Sequence, residues 1–562
     1  MRSPGHWRSS RRLLLAAAVA AGAGVLGVPA MAVRGDLDLA SQSTAGVASD
    51  GTVFEMDISA DGRRVAFESE ADNLTADDAD GVTDVFVRDL ETNTTTLVSR
   101  QSASEGGAGG LDDSGEPSIS ADGRFVAFES EADNLSSEDD DVGTSVYVRD
   151  LAIDTTTLVS RASAAGVVAR GADPSISADG RVVAFSSAAG SLVGVPDFEF
   201  AQIFVRDLAA DTVTLVSRRN PPTRTPGNDI SLNPELSDDG RVVAFASDAN
   251  NLSSRDRSVP QNVFVYDLRT NRIDFVNRRS GRRGAAADSS GLLTDLSISG
   301  EGRYVAYESG ARNLSDDAAR TDNIFVRDRM THTTILVSRQ SDALGGMGAN
   351  RFSDGPSISA DGRRVAFRSF ATNLSTSDRR RVQDVFVRDI ALGTTELASR
   401  RSGRRGVAAA DDSRVPAIAG EGRHLAFLSD AENLLPGLDG RMHAFRRDLG
   451  AVPPIRCGGR VATIVGSEAG DALRGTPGPD VIAALGGDDV VRGLGGDDRL
   501  CLGSGDDRGI GGRGDDLVVG ANGNDVMLGG DGDDALLGGR GRDRSSGAGG
   551  TDRCRSEVEA AC

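Results

Sequence analysis

A seven-residue phrase returns along the chain at intervals of about 60 residues, and such a repeat restricts the fold more than any other feature. The phrase is clearest at residues 118–124, which read Ser-Ile-Ser-Ala-Asp-Gly-Arg. Its Asp/Glu-Gly-Arg part occurs seven times, starting at Asp61, Asp122, Asp179, Asp239, Glu301, Asp361 and Glu421. The chain must therefore contain an array of similar units that bury their apolar faces against one another.

Each unit has the composition of four short β-strands. The Asp-Gly-Arg turn is followed by an alternating strand such as 65–67, a polar loop containing Asn-Leu, a strand such as 85–89 and a strand such as 95–100. An apolar stretch before the turn supplies the remaining strand, and all four are rich in Val, Phe, Thr and Ile. Four-stranded units repeated radially form a β-propeller, so seven units predict seven blades.

The succession Ser-Ile-Ser-x-Asp-Gly-Arg, Val-Ala-Phe-x-Ser and Val-Phe-Val-Arg-Asp resembles the WD40-like (PD40) repeats of the TolB-type propeller family. The resemblance covers roughly residues 36 to 450, and we place the propeller at residues 33–453. The Asp-Gly residues themselves are expected to be structural, because this pair forms tight turns in which glycine supplies a positive φ.

The last unit lacks its closing strand. After residues 445–448 the chain reaches Pro453 and Pro454, which exclude a central strand there. Residues 39–43, ahead of the first unit, resemble the closing strand and exit at residues 97–102. We therefore expect residues 36–42 to form the outermost strand of the last blade, beside residues 442–447, and so to close the ring.

Residues 457–562 contain a different and much shorter repeat. From residue 466 to residue 555 the sequence fits ten consecutive nonapeptides, each with aspartate at its sixth position. The repeat is the G-G-x-G-x-D-x-U-x pattern of a parallel β-roll. Apolar eighth positions are predicted to point inward: Leu473, Ile482, Val491, Leu500, Val518, Met527 and Leu536. Both ends fit less well, and Gly509, Ser545 and Cys554 replace an inward apolar residue.

The spacing of glycine and aspartate favours a calcium site. Gly-rich turns let backbone carbonyls converge, aspartate adds a carboxylate, and such hard oxygen donors suit Ca²⁺ better than Zn²⁺ or copper. The predicted metal-binding residues are Asp480, Asp489, Asp498, Asp507, Asp516, Asp525, Asp534 and Asp543.

The pattern resembles the hemolysin-type calcium-binding (RTX) repeats, in which loops two repeats apart sandwich each ion. The resemblance implies several ions and pairs the aspartates accordingly: Asp489 with Asp507, Asp498 with Asp516, Asp507 with Asp525, Asp516 with Asp534 and Asp525 with Asp543.

The first 32 residues have the features of an export signal: arginines, an apolar run from residue 13 to residue 29, then Ala-Met-Ala. Arg11 and Arg12 leave both the twin-arginine and the general secretory route open. No other apolar run is long enough to span a membrane. Exported cysteines favour disulfides over zinc, and we predict Cys457–Cys501 and Cys554–Cys562 from three possible connectivities.

The composition of the chain argues against several classes of function. All 62 basic residues are arginine, which excludes lysine Schiff-base chemistry, and a net charge of -22 argues against nucleic acid as a partner. No G-x-S-x-G elbow is present, and the chain after the signal offers only His332, His424 and His443 for a metal-dependent lyase site. We expect a secreted, all-β calcium-binding protein, with a cell-surface protein or glycan as a candidate partner of the propeller. The alternative is an extracellular hydrolase or polysaccharide lyase.

Overall fold

A computed structural model describes residues 36–78, 81–139, 143–163, 167–254, 261–281, 283–289, 295–318, 321–377, 381–403, 406–452, 454–466, 470–556 and 558–560. The signal predicted at residues 1–32 lies outside these ranges. Nearly all regular structure is β, apart from short 3₁₀ helices at Ala103–Glu105, Gly190–Val193 and Asp342–Leu344. Within the described ranges, no helix has the length and apolar character needed to cross a bilayer.

Seven four-stranded antiparallel sheets form the seven blades, which confirms the propeller. In blades 1 to 6 the strands run consecutively from the inner to the outer edge of the sheet. Blade 1 is Val53–Ile58, Arg64–Ser69, Asp84–Asp89 and Thr94–Leu97; blade 2 is Ser114–Ile119, Phe125–Ser130, Ser145–Asp150 and Thr155–Leu158; blade 3 is Ala172–Ile176, Val182–Ser187, Gln202–Asp207 and Thr212–Leu215; blade 4 is Ser231–Leu236, Val242–Ser247, Asn262–Asp267 and Arg272–Phe275. Blade 5 is Leu296–Ile298, Tyr304–Ser309, Asn323–Asp328 and Thr333–Leu336; blade 6 is Ser353–Ile358, Arg364–Ser369, Asp384–Asp389 and Thr394–Leu397; blade 7 is Ser413–Ile418, His424–Ser429, His443–Asp448 and Leu37–Leu39.

The repeated phrase is conserved between blades because it holds one turn together. In blade 1, Asp61 accepts hydrogen bonds from the Ser59 hydroxyl (2.7 Å) and the Arg63 N–H (2.9 Å), while Gly62 has a φ of 70°. The Arg63 guanidinium then pairs with Asp89, the last residue of the third strand, at 2.9 Å. The Asp-Gly-Arg residues of this blade are thus structural.

Packing within each blade depends on one aromatic pair between the second and third strands. Phe67 and Phe86 stack in blade 1 with ring centroids 5.7 Å apart, and both are fully buried. The same pair recurs in the other blades, as Phe128–Tyr147, Phe185–Phe204, Phe245–Phe264, Tyr307–Phe325, Phe367–Phe386 and Phe427–Phe445. The Val-Ala-Phe and Val-Phe-Val phrases are therefore the core of the propeller.

The ring closes as the sequence predicted. Strand Leu37–Leu39 pairs antiparallel with His443–Asp448, with Leu37 opposite Arg447 and Leu39 opposite Phe445. Arg446 reaches across this pairing to the carboxylate of Asp38. The first and last strands of the propeller thus share blade 7.

Two parallel sheets of six strands form the C-terminal roll, and the chain alternates between them. One sheet contains Ile464–Val465, Val481–Ala483, Arg499–Ser504, Leu517–Asn522, Ala535–Arg540 and Arg553–Arg555. The other contains Ala472–Arg474, Val490–Gly495, Arg508–Arg513, Val526–Asp531, Arg544–Gly549 and Val558–Ala560. A small hairpin of Arg456–Cys457 and Arg460–Val461 precedes them. All the predicted inward residues are buried between the sheets, joined by Ala484 and Leu502.

Candidate metal centre

The sixth-position aspartates stack in two columns along the turns of the roll. The backbone N–H of Asp489 donates to Oδ1 of Asp507 over 2.7 Å, and the N–H of Asp507 donates to Oδ1 of Asp525 over 3.0 Å. The same contact joins Asp498 to Asp516, Asp516 to Asp534 and Asp525 to Asp543, and it also joins Asp471 to Asp489, Asp480 to Asp498 and Asp534 to Asp552. We call the column of Asp471, Asp489, Asp507, Asp525 and Asp543 edge 1, and the column of Asp480, Asp498, Asp516, Asp534 and Asp552 edge 2. The pairs implied by the resemblance are therefore neighbours.

The second carboxylate oxygen of many of these aspartates is buried without a partner. Among the described residues, Oδ2 accepts no hydrogen bond in Asp489, Asp498, Asp507, Asp516, Asp525 and Asp534. These residues are at most 2% exposed to solvent. Burying a charged oxygen without a partner is costly, so a repeated set of them indicates positions that a cation would satisfy.

Backbone carbonyls converge on the same positions. A Cβ added to Gly493 would lie less than 3.0 Å from Oδ2 of Asp498 and 2.7 Å from the carbonyl oxygen of Gly511, one turn further on. Gly511 repeats the arrangement with Asp516 and the carbonyl oxygen of Gly529. Each such glycine therefore faces a cradle of one carboxylate and one carbonyl oxygen. This donor set fits Ca²⁺.

The columns accommodate negative charge poorly. Burial, reinforced by the charges of Asp507 and Asp471, raises the pKa of Asp489 to about 8, although the N–H of Asp471 opposes the shift. Burial and the neighbouring Asp498 and Asp534 likewise raise the pKa of Asp516 to about 7. A bound cation would remove the reason for these shifts, because it compensates the buried charge.

Asp480 is less available than the other predicted ligands. Its Oδ2 accepts hydrogen bonds from the N–H (2.6 Å) and the hydroxyl (3.0 Å) of Thr476. Throughout the described part of the chain, no three His, Cys, Asp or Glu side chains gather into a metal-binding group. A cation on either edge would therefore need backbone carbonyl oxygens to complete its ligand set.

The structure pairs Cys457 with Cys501 across a Cα–Cα distance of 5.6 Å. Cys457 belongs to the hairpin before the first nonapeptide, and Cys501 occupies the ninth position of the fourth. The hairpin is thus tied to the roll, in the pairing that the sequence suggested. The second pairing involves Cys562, which lies outside the described residues, so Cys554–Cys562 stays a prediction.

Two of the histidines considered for a lyase site lie apart from each other. His424 and His443 lie at opposite ends of two paired strands, where His424 faces Asp448 and His443 faces Ser429. His443 is buried, with Nδ1 3.1 Å from the Ser49 hydroxyl. It therefore belongs to the contacts that close the ring.

One feature of the propeller was not located from the sequence. A cavity of about 400 Å³ is lined by residues in or beside the inner strands, including Glu55, Asp57, Glu116, Asp173, Glu235 and Asp295. Arg368, on the second strand of blade 6, is the counter-charge. Burial, followed by the charges of neighbouring acids, raises the pKa of Glu116 and of Glu235 to about 8. The signal in the sequence was an acid three residues before the last residue of the inner strand in blades 1, 2, 3 and 5.

Comparison with known protein families identifies the repeats of the C-terminal roll. A family model of the RTX calcium-binding nonapeptide repeat matches five overlapping segments: 465–500, 474–509, 502–536, 510–545 and 519–553. A search of curated protein sequences finds no relative of this chain.

Three solved structures that the comparison finds are at most 15% identical to this chain. A putative TolB from Agrobacterium tumefaciens is 15% identical, covering 64% of this chain and 95% of its own, with a TM-score of 0.33. The β-propeller domain of the Trilobed protease from Pyrococcus furiosus is 13% identical, covering 72% and 96%, with a TM-score of 0.40. Oligogalacturonate lyase from Vibrio parahaemolyticus is 12% identical, covering 74% and 99%, with a TM-score of 0.42. The chain therefore combines a seven-bladed β-propeller with a C-terminal roll that matches the RTX calcium-binding nonapeptide repeats.

Proposed function

We propose that this protein is a secreted calcium-binding protein whose roll takes up several Ca²⁺ ions and whose propeller is a binding scaffold rather than an enzyme. The observation that carries the proposal is the repeated Oδ2, buried, without a partner and facing a carbonyl oxygen of the next turn. The proposed ligands are the carboxylates of Asp480, Asp489, Asp498, Asp507, Asp516, Asp525, Asp534 and Asp543, together with glycine carbonyls. When bound, calcium supplies the positive charge that the two columns lack.

Calcium uptake is expected to be coupled to folding of the roll. The apolar interior is one narrow cluster of buried side chains between the sheets, to which Leu500, Val518 and Met527 belong. Against it stand two columns of aspartates whose mutual repulsion grows as they ionise. Binding to the folded roll stabilises it by RT ln(1 + [L]/Kd) per site, about 2.7 kcal/mol when free calcium is 100 times Kd.

Secretion is supported by the signal-like residues 1–32 and by the cysteine pair. Disulfides persist outside the cytoplasm, where calcium-binding modules typically have Kd values of about 10⁻⁴–10⁻³ M. The propeller would present its loops and cavity to a partner, for which an extracellular protein or a glycan is our candidate. Nothing among the described residues favours the hydrolase or lyase alternative over this one.

Differential scanning calorimetry of the chain from residue 33 onward tests the calcium proposal. Adding Ca²⁺ should raise the transition of the roll and leave that of the propeller unchanged, whereas Mg²⁺ at the same concentration should have little effect. D516N should lose a clear part of the calcium-dependent shift, because Asp516 belongs to two of the aspartate pairs on edge 2, with Asp498 and with Asp534.

The matched control is D515N, one residue away. Asp515 is exposed, and its Oδ1 accepts the N–H of Asp533. Asn524, at the same repeat position, accepts the N–H of Arg542 in the same way, so asparagine is tolerated there. A roll transition that does not respond to Ca²⁺, or an equal response from D516N and D515N, would contradict the proposal.

A further inference from the structure

The two edges of the roll differ at the first position of the nonapeptide. On edge 2 this residue is always glycine: Gly475, Gly493, Gly511, Gly529 and Gly547. On edge 1 the corresponding residues are Gly466, Ala484, Leu502, Gly520 and Gly538. Two consecutive cradles on edge 1 therefore contain a side chain that edge 2 never has.

The side chain matters because the aspartate oxygen needs that space. At every first-position glycine of edge 2, an added Cβ would come within 3.0 Å of Oδ2 of the aspartate five residues later. Real Cβ atoms at Ala484 and Leu502 exclude this position for Oδ2 of Asp489 and Asp507. Of the four aspartate pairs on edge 1, three contain Asp489 or Asp507.

The Leu502 side chain has a separate role that keeps it in place. It is fully buried, and both of its methyl groups lie 3.0 Å from where a Cβ of Gly509 would be. Leu502 thus fills the inward space that the eighth-position residue leaves empty in this repeat. The Leu502 side chain therefore completes the apolar core and, at the same time, occupies the first position of one cradle on edge 1.

The exposed charge of the two edges also favours cation binding at edge 2. At the exposed fifth position, edge 2 carries Asp497, Asp515 and Asp533 on consecutive turns. On edge 1 the corresponding column changes from Asp506 to Asn524 and then to Arg542. A cation approaching edge 2 therefore meets a continuous acidic surface, whereas the far half of edge 1 is neutral or basic.

We propose that the two edges bind calcium with different affinities, so that edge 2 fills first and tightly while edge 1 fills later and weakly. This inference rests on the proposed calcium function and specifies its stages. First-position glycine is the positioning residue in each cradle, and Ala484 and Leu502 make edge 1 the weaker edge. The roll would then respond to calcium over two concentration ranges.

Isothermal titration of the chain from residue 33 onward with CaCl₂ should resolve two classes of site. G493A should weaken the tight class at least about tenfold, the usual scale when a group that positions a metal ligand is altered. G495A is the matched control, because a Cβ there would lie 3.6 Å from its nearest neighbour, in ordinary contact. A484G should strengthen the weak class.

The outcomes separate this inference from the calcium function. A chain that takes up no calcium refutes both. Calcium uptake in a single class, or equal behaviour of G493A and G495A, overturns the difference between the edges and leaves calcium binding intact. If G493A fails to fold, A484G becomes the deciding variant. Calcium affinity of the weak class that is unchanged or lower in A484G would refute the role assigned to the first position.

Discussion

Removing the strand that closes the ring should cost the propeller much of its stability. The perturbation is a chain that begins at residue 44 instead of residue 33, which deletes strand Leu37–Leu39 from blade 7. The deletion also leaves the edge of His443–Asp448 unpaired. An unpaired edge strand is a site for aggregation, so solubility should fall together with stability.

The magnitude follows from the contacts that are lost. Leu37 and Ala40 are buried, and their burial contributes about 3 kcal/mol together. Backbone hydrogen bonds such as Ala40 N–H to the Ala444 carbonyl, 2.8 Å, add about 1 kcal/mol each. The half-exposed pair of Asp38 with Arg446 adds no more than about 1 kcal/mol. A total loss of about 5 kcal/mol is large beside the 5–15 kcal/mol that stabilises a typical domain.

Urea unfolding in excess chelator measures this loss, with the chain from residue 33 as the reference. Circular dichroism is the suitable signal, because the single tryptophan, Trp7, precedes both starting points. A synthetic peptide of residues 33–43 should restore part of the stability in a concentration-dependent way. Equal midpoints for the two chains, or no effect of the peptide, would refute the closing role of this strand.

Three further predictions concern separate parts of the molecule. Non-reducing peptide mapping should recover Cys457 linked to Cys501, and the double serine variant should lose about 4 kcal/mol from the roll, given a separation of 44 residues. Stability of the propeller should fall as pH rises from about 4.5 to about 8, because burial raises the pKa of Glu116 from its ordinary value of 4.5 to about 8 in the folded chain. Over that range the unfolded chain has released the Glu116 proton that the folded chain still holds, and the stabilisation is lost once the pH passes the folded pKa. E116Q should flatten this pH profile in calorimetric scans, and a profile like that of the parent chain would contradict the assignment. M527A should destabilise the calcium-bound roll by about 2–5 kcal/mol, since Met527 is fully buried, whereas L537A, at a 40% exposed site, should have little effect in the same melting experiment.

The blades could be predicted from the sequence because their determinants are local and repeated. The Asp-Gly turn, the paired aromatics and the alternating strands all lie within about 60 residues. Even the long-range closure of blade 7 could be predicted, because the sequence of residues 39–43 resembles the closing strand of a blade. The roll was predictable for the same reason: its aspartates and inward apolar residues follow one period.

The acidic cavity was not predictable, because its position depends on backbone conformation. The register of the inner strands shifts beside the third residue, for example between Gly115 and Ser118. The residue there takes a positive φ in several blades, 50° at Glu116 and 44° at Val415. Residues as different as glutamate and valine occupy this position of positive φ. The local sequence therefore does not predict the bulge that turns these side chains inward.

The exchange between Leu502 and Gly509 was also missed. The sequence showed Gly509 as a gap in the row of inward residues, and the pattern offered nothing to fill it. Leu502 fills it from the opposite end of its own repeat. A leucine at a position otherwise held by glycine or alanine was the available signal, but only the packing of the two sheets shows where its side chain goes.

The shared blade also governs how quickly the propeller can form. Residue 37 is synthesised before any of the blades, yet its partner, residue 447, is made only after blades 1 to 6. Contacts between such distant residues form slowly, because a long loop must close before the pairing contributes anything. The first strand therefore remains unpaired until the third strand of blade 7 has been made. We expect folding to finish in one late step, after the last blade has emerged.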